Sequence, residues 1–265
     1  MALIQALKRH PVLTYFVLVY VLSWACWIPL AIAKTWASFP FIVLAALGNS
    51  MPSLLGMLLT ALFNGKSGLG ELFRRLGRVR VPLIWYAVVL LLLPVLQLVA
   101  LGIPTLLGLA TITLAFSGFI VLSAFGAGLL EELGWRGFAL PRLQASLPAF
   151  AASLLLGVLW GLWHLPLMIA RGLPLTAAGL GQLVFYLPLI TAWAVLFTWV
   201  YDNTKGSLFL MVLLHAVINI ATPTIQGSNW IGLTLYLILL WVVVMMVVVM
   251  AGAARLSRSS SVAPA

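Results

Sequence analysis

The chain has 265 residues, of which 64% are hydrophobic and 7% charged, and its mean hydropathy is +1.20. A water-soluble domain of this size exposes too many of its residues to carry that composition, so the chain reads as an integral membrane protein, with lipid in place of water around its outer faces. The net charge of +10 does not point to nucleic acid, because the basic residues stand at the ends of apolar runs, where cytoplasmic loops concentrate lysine and arginine.

Apolar runs of spanning length predict eight transmembrane helices, at about 12–33, 40–63, 81–103, 111–138, 149–170, 180–200, 207–223 and 229–251. The expected fold is an all-α polytopic bundle forming one membrane domain over 1–256, followed by a small polar tail, 257–265, expected to be disordered. The first run follows Lys8 and Arg9 and ends near Ala31-Ile32-Ala33, as a signal peptide would. Its apolar stretch from Val12 to Leu30 is too long for one, and it reads as a retained helix. Between the second and third runs, Leu69, Leu72, Phe73 and Leu76 recur at helical spacing beside Arg74, Arg75 and Arg78. This predicts a short amphipathic helix at about 66–80, lying in the interface with its arginines toward anionic lipid headgroups, or serving simply as a topology anchor.

The charges test this layout. With the N-terminus in the cytoplasm and eight alternating spans, the inner side carries Lys8, Arg9, Lys66, Arg74, Arg75, Arg78, Arg80, Arg142, Lys205, Arg255 and Arg258. The outer side carries Lys34 and Arg171 alone. Such a bias predicts a bacterial cytoplasmic membrane protein with both termini cytoplasmic.

Glu71, Glu131, Glu132 and Asp202 are the chain's four acids, and Glu131 and Glu132 fall within the fourth run. A carboxylate there costs several kcal/mol unless paired or wet, so a functional site is the default reading. Glu132 and Arg136 are four residues apart and face each other on a helix, which suits a structural ion pair. Glu131 projects about 100° away and is left as a candidate general base, although both glutamates also suit one Arg136 network that merely holds the bundle.

His164 lies in the fifth run and His215 in the seventh, with Asn219 one helical turn beyond His215 on the same face. Glu131 with His164 can deprotonate a water that attacks a peptide carbonyl, while His215 and Asn219 donate to the oxyanion. A second version makes Glu131, His164 and His215 the ligands of a zinc ion with an open water position. The residues alone do not choose between the two. Trp135, Trp160 and Trp163 stand close enough in sequence to these groups to form pocket walls.

At these positions the chain resembles the type II CAAX prenyl protease and bacteriocin-processing (CPBP, or Abi) membrane protease family. The motif Glu-Glu-x-x-x-Arg is matched by Glu131, Glu132 and Arg136, Phe-x-x-x-His by Trp160 and His164 with tryptophan for phenylalanine, and His-x-x-x-Asn by His215 and Asn219. The resemblance covers about 111–223. It implies an intramembrane endopeptidase whose cavity opens to the cytoplasm, acting on a peptide or membrane-protein substrate, prenylated in eukaryotic members.

Two other classes remain compatible with the residues. Buried glutamate and histidine chains also serve proton-coupled transporters, which would show broken helices near mid-membrane, for which Pro166 and Pro188 are candidates. A non-catalytic immunity or scaffold protein would keep the bundle and dispense with the chemistry.

Overall fold

A backbone surrounded by lipid must satisfy its N–H and C=O groups within its own segment, so apolar runs of this length become helices. The structure is a computed structural model and describes residues 2–227 and 230–257. Along the chain run α1 (Ala2–Arg9), α2 (Pro11–Ala33), α3 (Phe41–Leu76), α4 (Leu83–Leu106), strand β1 (Ile112–Leu114), α5 (Gly118–Gly134), a π-turn (Trp135–Ala139) and α6 (Leu140–Gln144). They are followed by α7 (Ala149–Trp163), α8 (Leu165–Ala170), α9 (Ala177–Asn203), α10 (Leu208–Thr224), β2 (Ile225–Gly227) and α11 (Trp230–Ala251).

The protein is a polytopic helical membrane bundle. Among the described residues, seven helical stretches are long and apolar enough to cross a membrane, and α10 is a shorter apolar helix. All eight expected runs are therefore helical. The seventh, α10, has 17 residues. Such a helix rises about 25 Å, just short of a hydrocarbon core about 30 Å thick.

Three boundaries differ from expectation. The fourth run begins as helix only at Gly118, where the Ser117 hydroxyl accepts from the Ile120 N–H, and it continues through the π-turn and α6. The residues before it pair instead as β1 with β2, antiparallel, with Ile112 opposite Gly227 and Leu114 opposite Ile225. The amphipathic segment is continuous with the second span except at Gly65, where φ 65° and ψ −159° kink the chain. That backbone region is open to glycine and to almost nothing else. The helix beyond the kink ends at Leu76, not at 80. Of the tail expected to be disordered over 257–265, residues 258–265 lie outside the described residues, but Ser257 is buried. Leu256 beside it is enclosed, and its carbonyl accepts from Asn203 Nδ2 at 2.8 Å.

Helix α5 packs between α3 and α10, and α9 between α7 and α11. The second half of α9, from Ile190 to Tyr201, is almost wholly buried. Helices α2, α4 and α11 turn residues such as Val21, Leu91 and Met245 outward, forming the apolar surface that lipid covers. Loops that the charge count puts on one side do meet. Arg142 donates to Asn64 Oδ1 at 3.0 Å and Ser207 to the Arg78 carbonyl at 2.6 Å at one end. The β1–β2 pair joins the loops before α5 and after α10 at the other.

Candidate active site

Close helix approach builds the site. At Gly128 an added Cβ would lie 2.8 Å from the Val212 carbonyl oxygen and 3.3 Å from His215 Cβ. Only a residue without a side chain lets α5 and α10 meet there. At Gly157 an added Cβ would lie 2.7 Å from Thr191 Cα, which brings α7 against α9. Gly134 packs on Pro52 and the Tyr15 hydroxyl, seating α5 against α3 and α2. Glu131 and Glu132 of α5, Trp160 of α7 and His215 of α10 are thereby gathered into one buried cluster.

Both oxygens of Glu132 accept from Arg136 Nη1, at 2.8 and 3.0 Å. Glu132 and Arg136 are both fully enclosed, at 0% exposure. The guanidinium is sandwiched between the rings of Trp160, 4.6 Å away, and Phe197, 4.1 Å away. Cation–π attraction of this kind is strongest where water is excluded. Glu132 has a second partner that the spacing did not suggest, because His215 Nδ1 lies 2.7 Å from its Oε1. An ionised carboxylate can only accept, so Nδ1 carries the proton and Nε2 of the neutral ring presents a lone pair.

That Nε2 faces Glu131, 3.8 Å from its Oε1. The other oxygen of Glu131, Oε2, accepts two indole N–H groups, from Trp160 at 2.8 Å and from Trp135 at 3.2 Å. Two tryptophans thus hold one oxygen and leave the other facing the imidazole. Trp135 and Arg136 open the π-turn, where the Leu140 N–H bonds back to the Trp135 carbonyl. Such single π-turns within α-helices recur at functional sites.

His164 stands where α7 ends and α8 begins, and its Nδ1 lies 2.9 Å from the Trp160 carbonyl. A carbonyl also only accepts, so this ring too presents Nε2 as a lone pair when neutral. The ring is half-buried, 6.1 Å from that of Trp160 and 6.3 Å from that of Tyr186. Glu131 and His215 both act on it electrostatically but make no hydrogen bond to it. Asn219 is half-buried one turn beyond His215, and its side chain makes no hydrogen bond among the described residues. Trp163 is fully enclosed, 4.5 Å from Trp27 and 5.4 Å from Trp135 between ring centres, so it supports the site from behind.

The zinc reading fares poorly against this geometry. Among the described residues no three His, Cys, Asp or Glu side chains are grouped to hold a metal ion. Glu131 Oε2 and His215 Nδ1 are already engaged, and His164 Nδ1 is taken by the Trp160 carbonyl. Glu131, His164 and His215 do not fit a zinc ion, and no step is derived through one. Of the two prolines that a transporter would use, Pro166 follows the α7–α8 break, whereas Pro188 lies inside an unbroken α9.

The role of the indoles went unseen in the sequence. Trp135 is four residues from Glu131, a legible spacing, but nothing in the chain's pattern aims Trp160 at the same oxygen. Arg75 was equally hidden; its Nη2 donates to the carbonyls of Arg136 and Gly137, at 3.1 and 3.3 Å, and ties the amphipathic helix to the π-turn.

The centre of the site is thus an enclosed carboxylate facing an imidazole nitrogen inside a membrane bundle. Residues 111–221 match the family described as type II CAAX prenyl endopeptidase, Rce1-like, a stretch that includes every site residue from Glu131 to Asn219. The chain is also 26% identical over 238 residues to CAAX prenyl protease 2 of Methanococcus maripaludis, covering 82% of this chain and 86% of that protein. Over residues 111–221 the chain is thus similar to the Rce1-like family of CAAX-type membrane proteases.

Proposed function

We propose that the protein is an intramembrane endopeptidase in which Glu131 activates water directly, without a metal. The reading is carried by one observation: Glu131 Oε1 and His215 Nε2 are 3.8 Å apart, and each is left with an unused lone pair. A water lodged between two acceptors donates one proton to each and turns its own lone pairs toward the substrate. Glu131 takes a proton as the water oxygen bonds to the peptide carbonyl carbon. The oxyanion accepts from the Asn219 amide, and the proton held by Glu131 passes to the departing amine as the C–N bond breaks. His215 donates to the oxyanion only when its ring carries both protons, because Glu132 keeps the first on Nδ1. His164 supplies a further basic nitrogen at the side of the site.

The substrate is a peptide or membrane-protein segment, and the names of the family and of the archaeal relative favour a prenylated C-terminal tail. The arginine-rich end and both termini face the cytoplasm, where Arg74 and its neighbours meet anionic lipid headgroups. Within the site Glu132 and Arg136 are sealed and Arg75 is bonded to the π-turn, while His164 and Asn219 are half-buried.

Purified protein with Glu131→Gln tests the mechanism. It loses cleavage of a verified peptide substrate by about 10³-fold or more, while its helix content and elution are those of the parent. Residual turnover near the parent's rate sinks the proposal.

A further inference from the structure

With His215 neutral, the oxyanion has one side-chain donor, the Asn219 amide, whereas oxyanion holes are built from more than one. The other polar hydrogens around Glu131 are committed. Trp135 and Trp160 donate to Glu131 Oε2, His215 Nδ1 and Arg136 donate to Glu132, and His164 Nδ1 donates to the Trp160 carbonyl. The Tyr15 hydroxyl donates to the Pro52 carbonyl, and Arg171 is exposed, with its guanidinium stacked on the Trp36 ring.

Tyr186 is different. It stands in the first half of α9, half-buried, 6.3 Å from His164 between ring centres and edge-on to it at 84°. Its hydroxyl makes no hydrogen bond among the described residues and is not enclosed. Gly161, on α7 between Trp160 and His164, admits the ring. A Cβ there would stand 2.8 Å from Leu187 Cδ2 and 3.8 Å from Tyr186 Cε1, the ring carbon next to the one that bears the hydroxyl. The hydroxyl end of the ring is thus set against α7 beside the histidine. The phenol also feels the charge of Glu131, and α9 touches α10, which carries Asn219. Phenylalanine would fill the same space. A hydroxyl without a partner in a membrane interior is costly, so what it adds here is a donor kept for a group that arrives.

We propose that Tyr186 is a further catalytic residue, whose O–H donates to the oxyanion of the tetrahedral intermediate beside the Asn219 amide. This rests on the protease reading above. As the water oxygen bonds to the carbonyl carbon, the π pair of the C=O bond moves onto its oxygen, and phenol and amide each direct one hydrogen at it. The phenol keeps its proton throughout. Glu131 still takes the proton of the water and passes it to the departing amine, and the pair returns to the C=O bond as the C–N bond breaks. A donor binds a charged oxygen more strongly than a neutral carbonyl. Tyr186 therefore acts on the transition state more than on the bound peptide, and its loss falls on kcat and not on KM.

The test uses full-length protein in nanodiscs. Tyr186→Phe keeps the ring and removes the donor; it lowers kcat about 10²-fold and changes KM by about two-fold at most. Val184→Ala, at an exposed position of the same helix, leaves both within about two-fold of the parent. A second arm needs no turnover. One fluorescent peptide and its phosphinate, which carries a tetrahedral anion in place of the scissile carbonyl, are bound to Glu131→Gln protein. Adding Tyr186→Phe weakens the phosphinate about ten-fold and the peptide about two-fold at most. A role in packing alone would weaken the two ligands together, and that result overturns the proposal. A kcat for Tyr186→Phe within about two-fold of the parent also overturns it, and leaves the protease reading in place. If the parent cleaves no peptide, the protease reading falls and the binding arm judges Tyr186 by itself. A loss confined to the phosphinate then upholds the phenol as an anion donor, and no loss overturns it.

Discussion

Replacing Trp160 with phenylalanine isolates a single N–H. The indole donates to Glu131 Oε2 at 2.8 Å, its ring stacks 4.6 Å from the Arg136 guanidinium, and its centre lies 5.5 Å from that of His215. Phenylalanine keeps the ring face and removes the donor. A hydrogen bond to a charged group is worth about 1.5–3 kcal/mol, and about 1.4 kcal/mol corresponds to ten-fold in rate. The weaker bond from Trp135, at 3.2 Å, remains and still restrains the carboxylate. The expected loss is therefore at the low end, about ten-fold in kcat, with KM changed by about two-fold at most, because Oε2 is taken up by the two indoles. Trp135→Phe costs less, since its bond is longer. The measurement is steady-state cleavage of one peptide by both variants, with circular dichroism to verify the fold. The result is diagnostic because the family motif carries phenylalanine at this position, so the variant restores the motif while slowing the enzyme. A kcat for Trp160→Phe within about two-fold of the parent refutes the idea that the indoles hold Glu131 in place, and so does a larger loss from Trp135→Phe.

Glu132→Ala leaves Arg136 buried without its counter-charge and His215 without its Nδ1 partner, so it lowers stability by about 3–5 kcal/mol, read as a fall in the thermal midpoint in detergent. Glu132→Gln keeps an acceptor and loses less, and a midpoint for Glu132→Ala equal to the parent's contradicts the buried pair. Gly128→Val forces α5 and α10 apart at the Val212 carbonyl, where a Cβ would already stand at 2.8 Å; it reduces cleavage more than Gly126→Val, because an added Cβ at Gly126 meets nothing within 4 Å. Treatment with a strong chelator leaves the cleavage rate within about two-fold, since the donor set does not form a zinc site; chelator-sensitive activity restored by zinc alone contradicts that reading.

Much of the architecture was legible because lipid imposes one solution on an apolar backbone. Long runs free of charge had to be helices, and the crowding of arginines at alternate gaps had to follow their ends. The pairing of Glu132 with Arg136 was equally local, since four residues of helix bring two side chains to one face. The two short β segments were not, because β1 and β2 are more than a hundred residues apart and pair only once α5 and α10 have been laid side by side. The kink at Gly65 and the π-turn after Gly134 also escaped, since each shifts the helical phase by a backbone choice that side-chain periodicity does not record.

The chain's own pattern decided that it crosses a membrane, which four acids it has to work with, and that Glu131, His164, His215 and Asn219 are the residues worth watching. Only the packing decided their partners. Gly128 let His215 reach Glu132 as well as Glu131, and two tryptophans from different helices met on one carboxylate oxygen. Contacts between helices depend on how closely and at what rotation the helices dock, which is a property of surfaces in three dimensions and leaves no spacing along the sequence to read.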